Sequence, residues 1–244
     1  MTQEIKALIE LTWRAQQHNI KSVLATVVAL KGSSYRRPGV RMLIQENGKT
    51  FGAVSGGCVE REVQKQANSV LETNIPKMIT YDGRFRLGCE GVIYILIEPI
   101  KITLDLKATF DDVVNERKFF ECETFYSKIE GANKAYGSQF IFSETRFLLR
   151  ENFTVSKTKD SFKQSFSPAF QLYLFGAEHD AVHLCKAAAN LGWHVIVVAP
   201  PDESKTKNYF EGAHEFITPT FETLDVSLID KQTAVMLMTH SFNK

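Results

Sequence analysis

The sequence lacks the features that mark several classes of protein. Its four cysteines, at positions 58, 89, 122 and 185, include no C-x-x-C pair, which argues against a zinc ribbon or a disulfide framework. No apolar run approaches the ~20 residues that span a bilayer, and the charged N-terminus has no signal-peptide core. The net charge is only +1, so no charge excess favours nucleic acid or an anionic membrane surface. We expect a cytoplasmic protein that binds neither.

The remaining composition is that of a globular protein with an α/β fold. Hydrophobic residues make up 44% of the chain and charged residues 23%, which is ordinary for folded domains. Residues 1–150 alternate helical and strand patterns and predict an α/β domain. Residues 151–168 are polar, without periodicity, and predict a linker. Residues 169–244 have a strand–glycine–helix–strand order, which predicts part of a Rossmann-like parallel sheet.

The first domain is organised around the segment S-G-G-C-V-E, Ser55 to Glu60. Two glycines place Cys58 between a short strand and a helix. Here the amides of Ser55, Gly56 and Gly57 and the positive end of the helix dipole would face an anionic or metal-bearing ligand. The same field lowers the pKa of a thiol. Close packing of small residues is the alternative interpretation, but the field favours a functional thiolate at Cys58.

Two further loops carry candidate ligand-binding residues. Arg36 and Arg37 follow Ser34 in a loop after the first strand, and paired guanidinium groups with hydroxyls suit a phosphate. A solvated surface turn explains the same residues equally well. Cys89, in L-G-C-E-G, either approaches Cys58 to form a two-cysteine site or packs beneath its own loop. Cys122 and Cys185 are interpreted as small buried hydrophobic residues.

The second domain has an imperfect dinucleotide-binding loop. It begins at Gly176, but Glu178 replaces the second glycine of G-x-G-x-x-G, and Ala199 stands where an acidic residue is expected. A negative side chain opposes a diphosphate, so the pattern argues against NAD(P). His179 and His183 imitate a zinc-protease helix, but the aspartate between them is shorter than the usual glutamate. We favour a helix-start His179 beside a ligand crevice.

Four segments together resemble the XdhC/CoxI family. They are G-S-S-Y-R-R-P-G (32–39), S-G-G-C-V-E (55–60), L-G-C-E-G (87–91) and I-E-P (97–99), in the order and spacing of that family. The segments L-Y-L-F-G-A-E-H-D-A, A-N-L-G-W-H-V-I-V-V-A-P and V-M-L-M-T-H resemble its second, Rossmann-like domain. The expected fold is therefore an N-terminal XdhC/CoxI-type α/β domain followed by a truncated Rossmann-like domain.

This resemblance implies an accessory protein of xanthine dehydrogenase or a related molybdenum hydroxylase, not an enzyme. Such proteins are thought to bind molybdenum cofactor (molybdopterin), to protect it while a cysteine desulfurase supplies its sulfido ligand, and to hand it to the apo-enzyme. The residue that matches the family's cofactor-binding cysteine is Cys58, which would contact the metal. A thiolate suits molybdenum–sulfur chemistry, and Arg36 and Arg37 could hold the phosphate of the pterin.

Two alternative functions stay open at this point. One is an NAD(P)-dependent oxidoreductase that uses the second domain, against which Glu178 and Ala199 argue. The other is a sulfur-transfer protein in which Cys58 carries a persulfide. Family members are commonly longer than this chain, and half a Rossmann sheet would leave apolar surface uncovered. We therefore expect a homodimer.

Overall fold

The computed structural model describes residues 2–34, 36–57, 59–83, 91–151, 153–154 and 160–239. The chain divides into two compact units, residues 1–167 and residues 168–244. The helices are α1 Thr2–Gln17, α2 Glu60–Thr73, α3 Leu104–Asn115 and α4 His179–Asn190. The strands are β1 Ser22–Lys31, β2 Arg41–Gln45, β3 Thr50–Gly52, β4 Lys77–Asp82, β5 Val92–Pro99, β6 Phe120–Tyr126, β7 Gly131–Ala132, β8 Gly137–Phe142, β9 Thr145–Leu148, β10 Asp160–Phe166, β11 Gln171–Phe175, β12 His194–Val198, β13 Glu215–Ile217 and β14 Thr233–Leu237.

The first unit is built on a six-stranded sheet with the order β3-β2-β1-β5-β4-β7. All of its pairings are antiparallel. The central strand β1 is β-branched and apolar and is buried over most of its length, as a strand covered on both faces must be. On one face its side chains pack with Val63, Ala67 and Val70 of α2. The sequence pattern predicted both of these elements.

The other face of the six-stranded sheet contributes to an aromatic core. Side chains of α1 and α3 meet Leu24 and Leu43 of the sheet there. A second, antiparallel sheet of order β10-β6-β8-β9 adds its phenylalanines to this cluster. Phe120 and Phe166, from paired strands of that sheet, stack with ring centroids 4.7 Å apart. Helix α3 thus lies over a core that both sheets of the unit share.

The linker predicted for residues 151–168 is wrong for residues 160–166. These residues form β10, which pairs along its whole length with β6, from Asp160 opposite Tyr126 to Phe166 opposite Phe120. Most of the β10 side chains are exposed or half-buried, so the segment reads as polar, whereas Phe166 is fully buried in the aromatic core. An outer strand needs only a few apolar side chains, and its backbone pairing leaves little trace in composition.

The second unit is a four-stranded parallel sheet of order β13-β12-β11-β14. Helix α4 packs on it through Ala181, Cys185 and Ala188. The α/β fold with a Rossmann-like parallel sheet is therefore confirmed. The outer strand β14 exposes Val235, Met236 and Leu237, and the homodimer expected to cover such surface stays a prediction. In the described part of the chain, no helix is long and apolar enough to cross a membrane.

Candidate functional site at the edge of the first sheet

Three loops with predicted site residues start and end at one edge of the six-stranded sheet. Antiparallel pairing sets this arrangement, because Lys31 at the end of β1 lies opposite Val92 at the start of β5. Strand β1 therefore ends, and β5 begins, at the same edge. Strand β3 runs antiparallel to β2 and delivers the loop 53–59 there as well.

Two glycines bring the backbone of this edge close together. A Cβ on Gly91 would lie 1.9 Å from the carbonyl oxygen of Ser33, so the third loop ends against the first. Gly52 has φ of +78°, and a Cβ there would lie 2.4 Å from the carbonyl oxygen of Arg41. Both contacts require a residue without a side chain. The described residues at the ends of these loops thus lie in one region.

Ser55 and Glu60 form a hydrogen-bonded lock at the start of α2. The Glu60 carboxylate accepts the backbone N–H of Ser55 at 2.7 Å and the Ser55 hydroxyl at 2.8 Å. The Ser55 Oγ also accepts the N–H groups of Gly57 and Val59, each at 3.3 Å. Partial burial raises the pKa of Glu60, but hydrogen bonds from Ser55 and from the backbone of Glu60 and Gly57 together hold the pKa below its usual value. The lock holds Ser55, Gly57 and Val59 at the start of α2.

The lock changes how this helix start would meet a ligand. From the sequence we expected the Ser55 amide to face an anionic ligand, whereas in the structure that amide donates to the carboxylate of the chain's own Glu60. Sequence reasoning gave Glu60 no role. A signal was present, because an acidic residue in the first turn of a helix is a common partner for free N–H groups. The assignment of Ser55 to the cofactor stays a prediction.

The glycines of the loop leave one side open. Gly56 and Gly57 are both exposed. Gly57 has φ of +115°, and apart from its chain neighbours no atom of a described residue lies within 4 Å of the position that a Cβ would occupy. The glycine is therefore required by backbone conformation rather than by close packing, and a ligand could approach here. Cys58 and Cys89, the two predicted cysteine ligands, lie outside the described residues.

Arg36 and Arg37 lie beside a groove of ~480 Å³, with Ser34 close by. Ser34 Oγ accepts the backbone N–H of Arg36 at 3.4 Å. Arg36 is half-buried and Arg37 is exposed. We call the groove the α1 groove, because helix α1 forms one of its walls. Its lining residues are Glu4, Ile5, Ala7, Leu8, Leu11, Arg36, Arg37, Pro38, Gly39, Val40, Arg41, Phe51, Gly52, Ala53, Gln164 and Phe166. The two predicted arginines therefore line a cavity in the structure.

In the second unit, Gly176 serves the packing of the sheet. Its φ is +129°, and a Cβ would lie 2.4 Å from the carbonyl oxygen of Met238. Its N–H donates to the carbonyl of Val198 at 2.9 Å. Glu178 occupies the N-cap of α4 without a capping hydrogen bond, and its carboxylate lies 3.7 Å from the Lys205 ammonium. A side chain therefore stands where a dinucleotide loop needs bare backbone.

His179 and His183 are adjacent on the exposed first turns of α4. Their Nε2 atoms lie 3.2 Å apart. Among the described residues, no group of three or more histidine, cysteine or acidic side chains is arranged to hold a metal ion. The contact of His179 with a cofactor stays a prediction.

The other two cysteines are confirmed as buried, free thiols. Cys122 lies in the aromatic core and Cys185 in the core of the second unit. Burial raises the pKa of both thiols, which keeps them protonated and unreactive.

A buried carboxylate, Glu98, was not assigned a role from sequence. It is fully buried, at 0% exposure, and accepts the backbone N–H of Ser138 at 2.9 Å and the Ser138 hydroxyl. Burial raises its pKa to about 7, against the opposing effect of these bonds and of the positive charges of Arg150 and Arg41. It joins β5 of the first sheet to β8 of the second.

Comparisons with known proteins agree across both units. The XdhC and CoxI family matches residues 15–82, and the XdhC Rossmann domain matches residues 172–244. A probable xanthine dehydrogenase subunit from Bacillus subtilis (strain 168) is 30% identical over 219 residues, which are 81% of this chain and 65% of that protein. The molybdenum cofactor insertion chaperone PaoD of Escherichia coli (strain K12) is 21% identical over 251 residues, covering 100% of this chain and 67% of PaoD.

A crystal structure shows the same fold. It is described as a xanthine dehydrogenase from Bacillus halodurans and superposes with a TM-score of 0.75 at 28% identity, over 97% of this chain and 75% of that chain. The chain spans about two thirds of the length of the curated relatives that it matches. Two family domains in the expected order, together with the shared fold, show that the chain belongs to the XdhC/CoxI family.

Proposed function

We propose that this protein binds molybdenum cofactor and delivers it to xanthine dehydrogenase or a related molybdenum hydroxylase. Membership of the XdhC/CoxI family supports a role in maturation of such enzymes. The similarity to PaoD supports insertion of the cofactor as the step concerned. In this role the cofactor is cargo, and the chain is a carrier rather than a catalyst.

One observation carries the proposal, namely that the described residues flanking three loops lie at a single edge of the sheet. Their flanking strands are paired in register, and Gly91 packs directly against Ser33. One loop supplies two arginines, the next supplies Cys58 and the third supplies Cys89. A cargo with a soft metal–sulfur centre at one end and a phosphate at the other needs this combination of thiol and guanidinium groups.

The described residues fit such a cargo. No described residue outside its chain neighbours fills the space beside Gly57, and the Ser55–Glu60 lock fixes Ser55 to the start of α2. The Arg36 and Arg37 side chains border a groove of sufficient size for part of a small molecule. In this proposal the Cys58 thiolate contacts the metal–sulfur end of the cargo. The arginines neutralise its phosphate.

The decisive variant is Cys58→Ala, with Cys185→Ala as its control. Both proteins and the wild type are purified without oxygen from cells that make the cofactor. Bound pterin is then oxidised to its fluorescent derivative and measured per chain. We expect pterin in the wild type and in Cys185→Ala but not in Cys58→Ala, because Cys185 is buried in the other unit. A wild type with no more pterin than Cys58→Ala contradicts the proposal, and a persulfide on Cys58 without pterin favours sulfur transfer.

A further inference from the structure

The α1 groove combines an apolar floor with guanidinium groups. Ile5, Leu8 and Leu11 of α1 form one wall, and the rings of Phe51 and Phe166 contribute to the other side. These side chains offer a surface for a flat or apolar body. The lining residues provide positive charge through Arg36, Arg37 and Arg41 and negative charge through Glu4. The buried Glu98, which does not line the groove, also interacts electrostatically with Arg41. The groove is therefore apolar in the middle and positive at the arginine end.

Arg41 is the arginine that sequence reasoning missed. It is only 8% exposed. Its Nη1 donates to the carbonyl of Gly39 at 2.8 Å and to the side-chain oxygen of Gln164. Its guanidinium carbon lies 5.6 Å from the centre of the Phe166 ring. These contacts come from two segments of the first unit, the arginine loop and β10, and they fix the guanidinium in place.

One donor of this fixed group has no acceptor. Arg41 Nη2 is buried and has no hydrogen-bond partner among the residues that the structure describes. A buried donor without an acceptor is unfavourable, more so when it is charged. Arg41 also lines the α1 groove, so an anionic oxygen bound there would lie beside its guanidinium group, whose charge Glu98 balances in part. This oxygen would also meet two further guanidinium groups, four and five residues earlier in the chain.

We propose that the α1 groove is the binding site for a phosphate monoester attached to a flat ring system, with Arg41 as its fixed anchor and Arg36 and Arg37 at its rim. The phosphate-bearing pterin of the cargo has this chemistry, so the identity of the ligand rests on the proposed function. The groove places the phosphate next to the arginine loop. The Cys58 loop would then hold the opposite end of the cargo.

The test compares one fluorescent pterin with and without its phosphate. The oxidised derivative is used as prepared, or after treatment with phosphatase, and each form is titrated into the purified protein. We expect the wild type to bind the phosphorylated form at least ~10-fold more tightly, because charge-assisted bonds to phosphate are among the strongest. Arg41→Lys keeps the charge but loses the planar fork, and we expect it to lose most of this preference.

Two variants at exposed positions test the groove without changing a buried residue, in case Arg41→Lys misfolds. Arg37→Gln removes a rim charge, and Ala7→Trp fills the groove from the exposed surface of α1. Both should weaken binding of the phosphorylated form. Arg14→Gln and Gln17→Trp are the matched controls, because both positions are exposed on α1 outside the groove, and both should bind as the wild type does.

The outcomes separate this proposal from the proposed function. If the wild type carries pterin in cells but binds both forms equally in the titration, the groove proposal fails and the carrier role stands. If the wild type carries no pterin, the carrier role fails. Stabilisation by inorganic phosphate is then compared between the wild type and Ala7→Trp by thermal unfolding. Absence of stabilisation in the wild type would overturn the groove proposal too.

Discussion

The Ser55–Glu60 lock is tested most sharply by replacing Glu60 with glutamine. The carboxylate accepts two hydrogen bonds from Ser55, at 2.7 and 2.8 Å. Glutamine has one oxygen in place of two and no charge, so at least one of these bonds is lost. A hydrogen bond to a charged group contributes about 1.5–3 kcal/mol. Since Glu60 is only partly buried, we expect Glu60→Gln to lower the free energy of unfolding by about 2 kcal/mol.

The measurement is urea unfolding of the first unit at pH 7. Tryptophan fluorescence reports on this unit through Trp13 in a Trp193→Phe background, because the other tryptophan belongs to the second unit. Glu62→Gln is the control. Glu62 lies in the same first turn of α2, and its carboxylate accepts a hydrogen bond from Gln66 one turn later in the helix. Its loss should cost about 0.5 kcal/mol, the effect of the helix dipole alone.

The pH dependence gives a second check on the same lock. The folded-state pKa of Glu60 lies below 4.5, so its stabilisation is fully present above the unfolded-state pKa and is lost as the pH falls through the folded-state pKa. The difference between wild type and Glu60→Gln should therefore shrink in acid. A difference that is the same at pH 3 and pH 7, or one no larger than that of Glu62→Gln, would refute the reasoning.

Three further predictions follow from the structure. Gly52→Ala and Gly48→Ala both force alanine into a positive φ, at +78° and +84°, but only at Gly52 does a backbone atom lie 2.4 Å from the new Cβ. In urea unfolding, Gly52→Ala should therefore lower the free energy of unfolding by about 1–3 kcal/mol more than Gly48→Ala does. Equal losses of stability would contradict the contact. The pKa of Glu98 is raised to about 7, so its contribution to stability is fully present below pH 4.5 and decreases by about 3 kcal/mol as the pH rises to 7. The free energy of unfolding of Glu98→Gln, measured across this pH range, should lack that decrease. The same decrease in wild type and Glu98→Gln would refute the raised pKa. Because Glu178 occupies the glycine position of the loop, titration with NADH should show no saturable fluorescence change, whereas micromolar binding would revive the oxidoreductase hypothesis.

Elements with strong local patterns could be predicted from the sequence. The apolar, β-branched run of β1 and the Asn47-Gly48 turn of the β2–β3 hairpin correspond closely to the observed strands. The order strand, glycine, helix, strand was enough to place the parallel sheet of the second unit. In each case the signal lies within about 30 residues, where period and turn chemistry act directly.

Features that depend on distant partners could not be predicted. Strand β10 pairs with β6 about 40 residues earlier, and its polar sequence resembles a linker. Arg41 reads as an ordinary strand residue, and its burial depends on Gln164 and Phe166 from that same strand β10. The sequence singled out Arg36 and Arg37, but the α1 groove beside them became visible only when helix α1 and β10 were in place.

The central claim, that this chain carries molybdenum cofactor to an enzyme, is tested most directly by transfer. Protein purified without oxygen from cofactor-producing cells is added to an apo-molybdenum hydroxylase, and enzyme activity is measured against the amount of carrier. We expect activity to rise in proportion to the pterin carried, and Cys58→Ala protein to restore none. Equal activation by wild type and Cys58→Ala would contradict the claim.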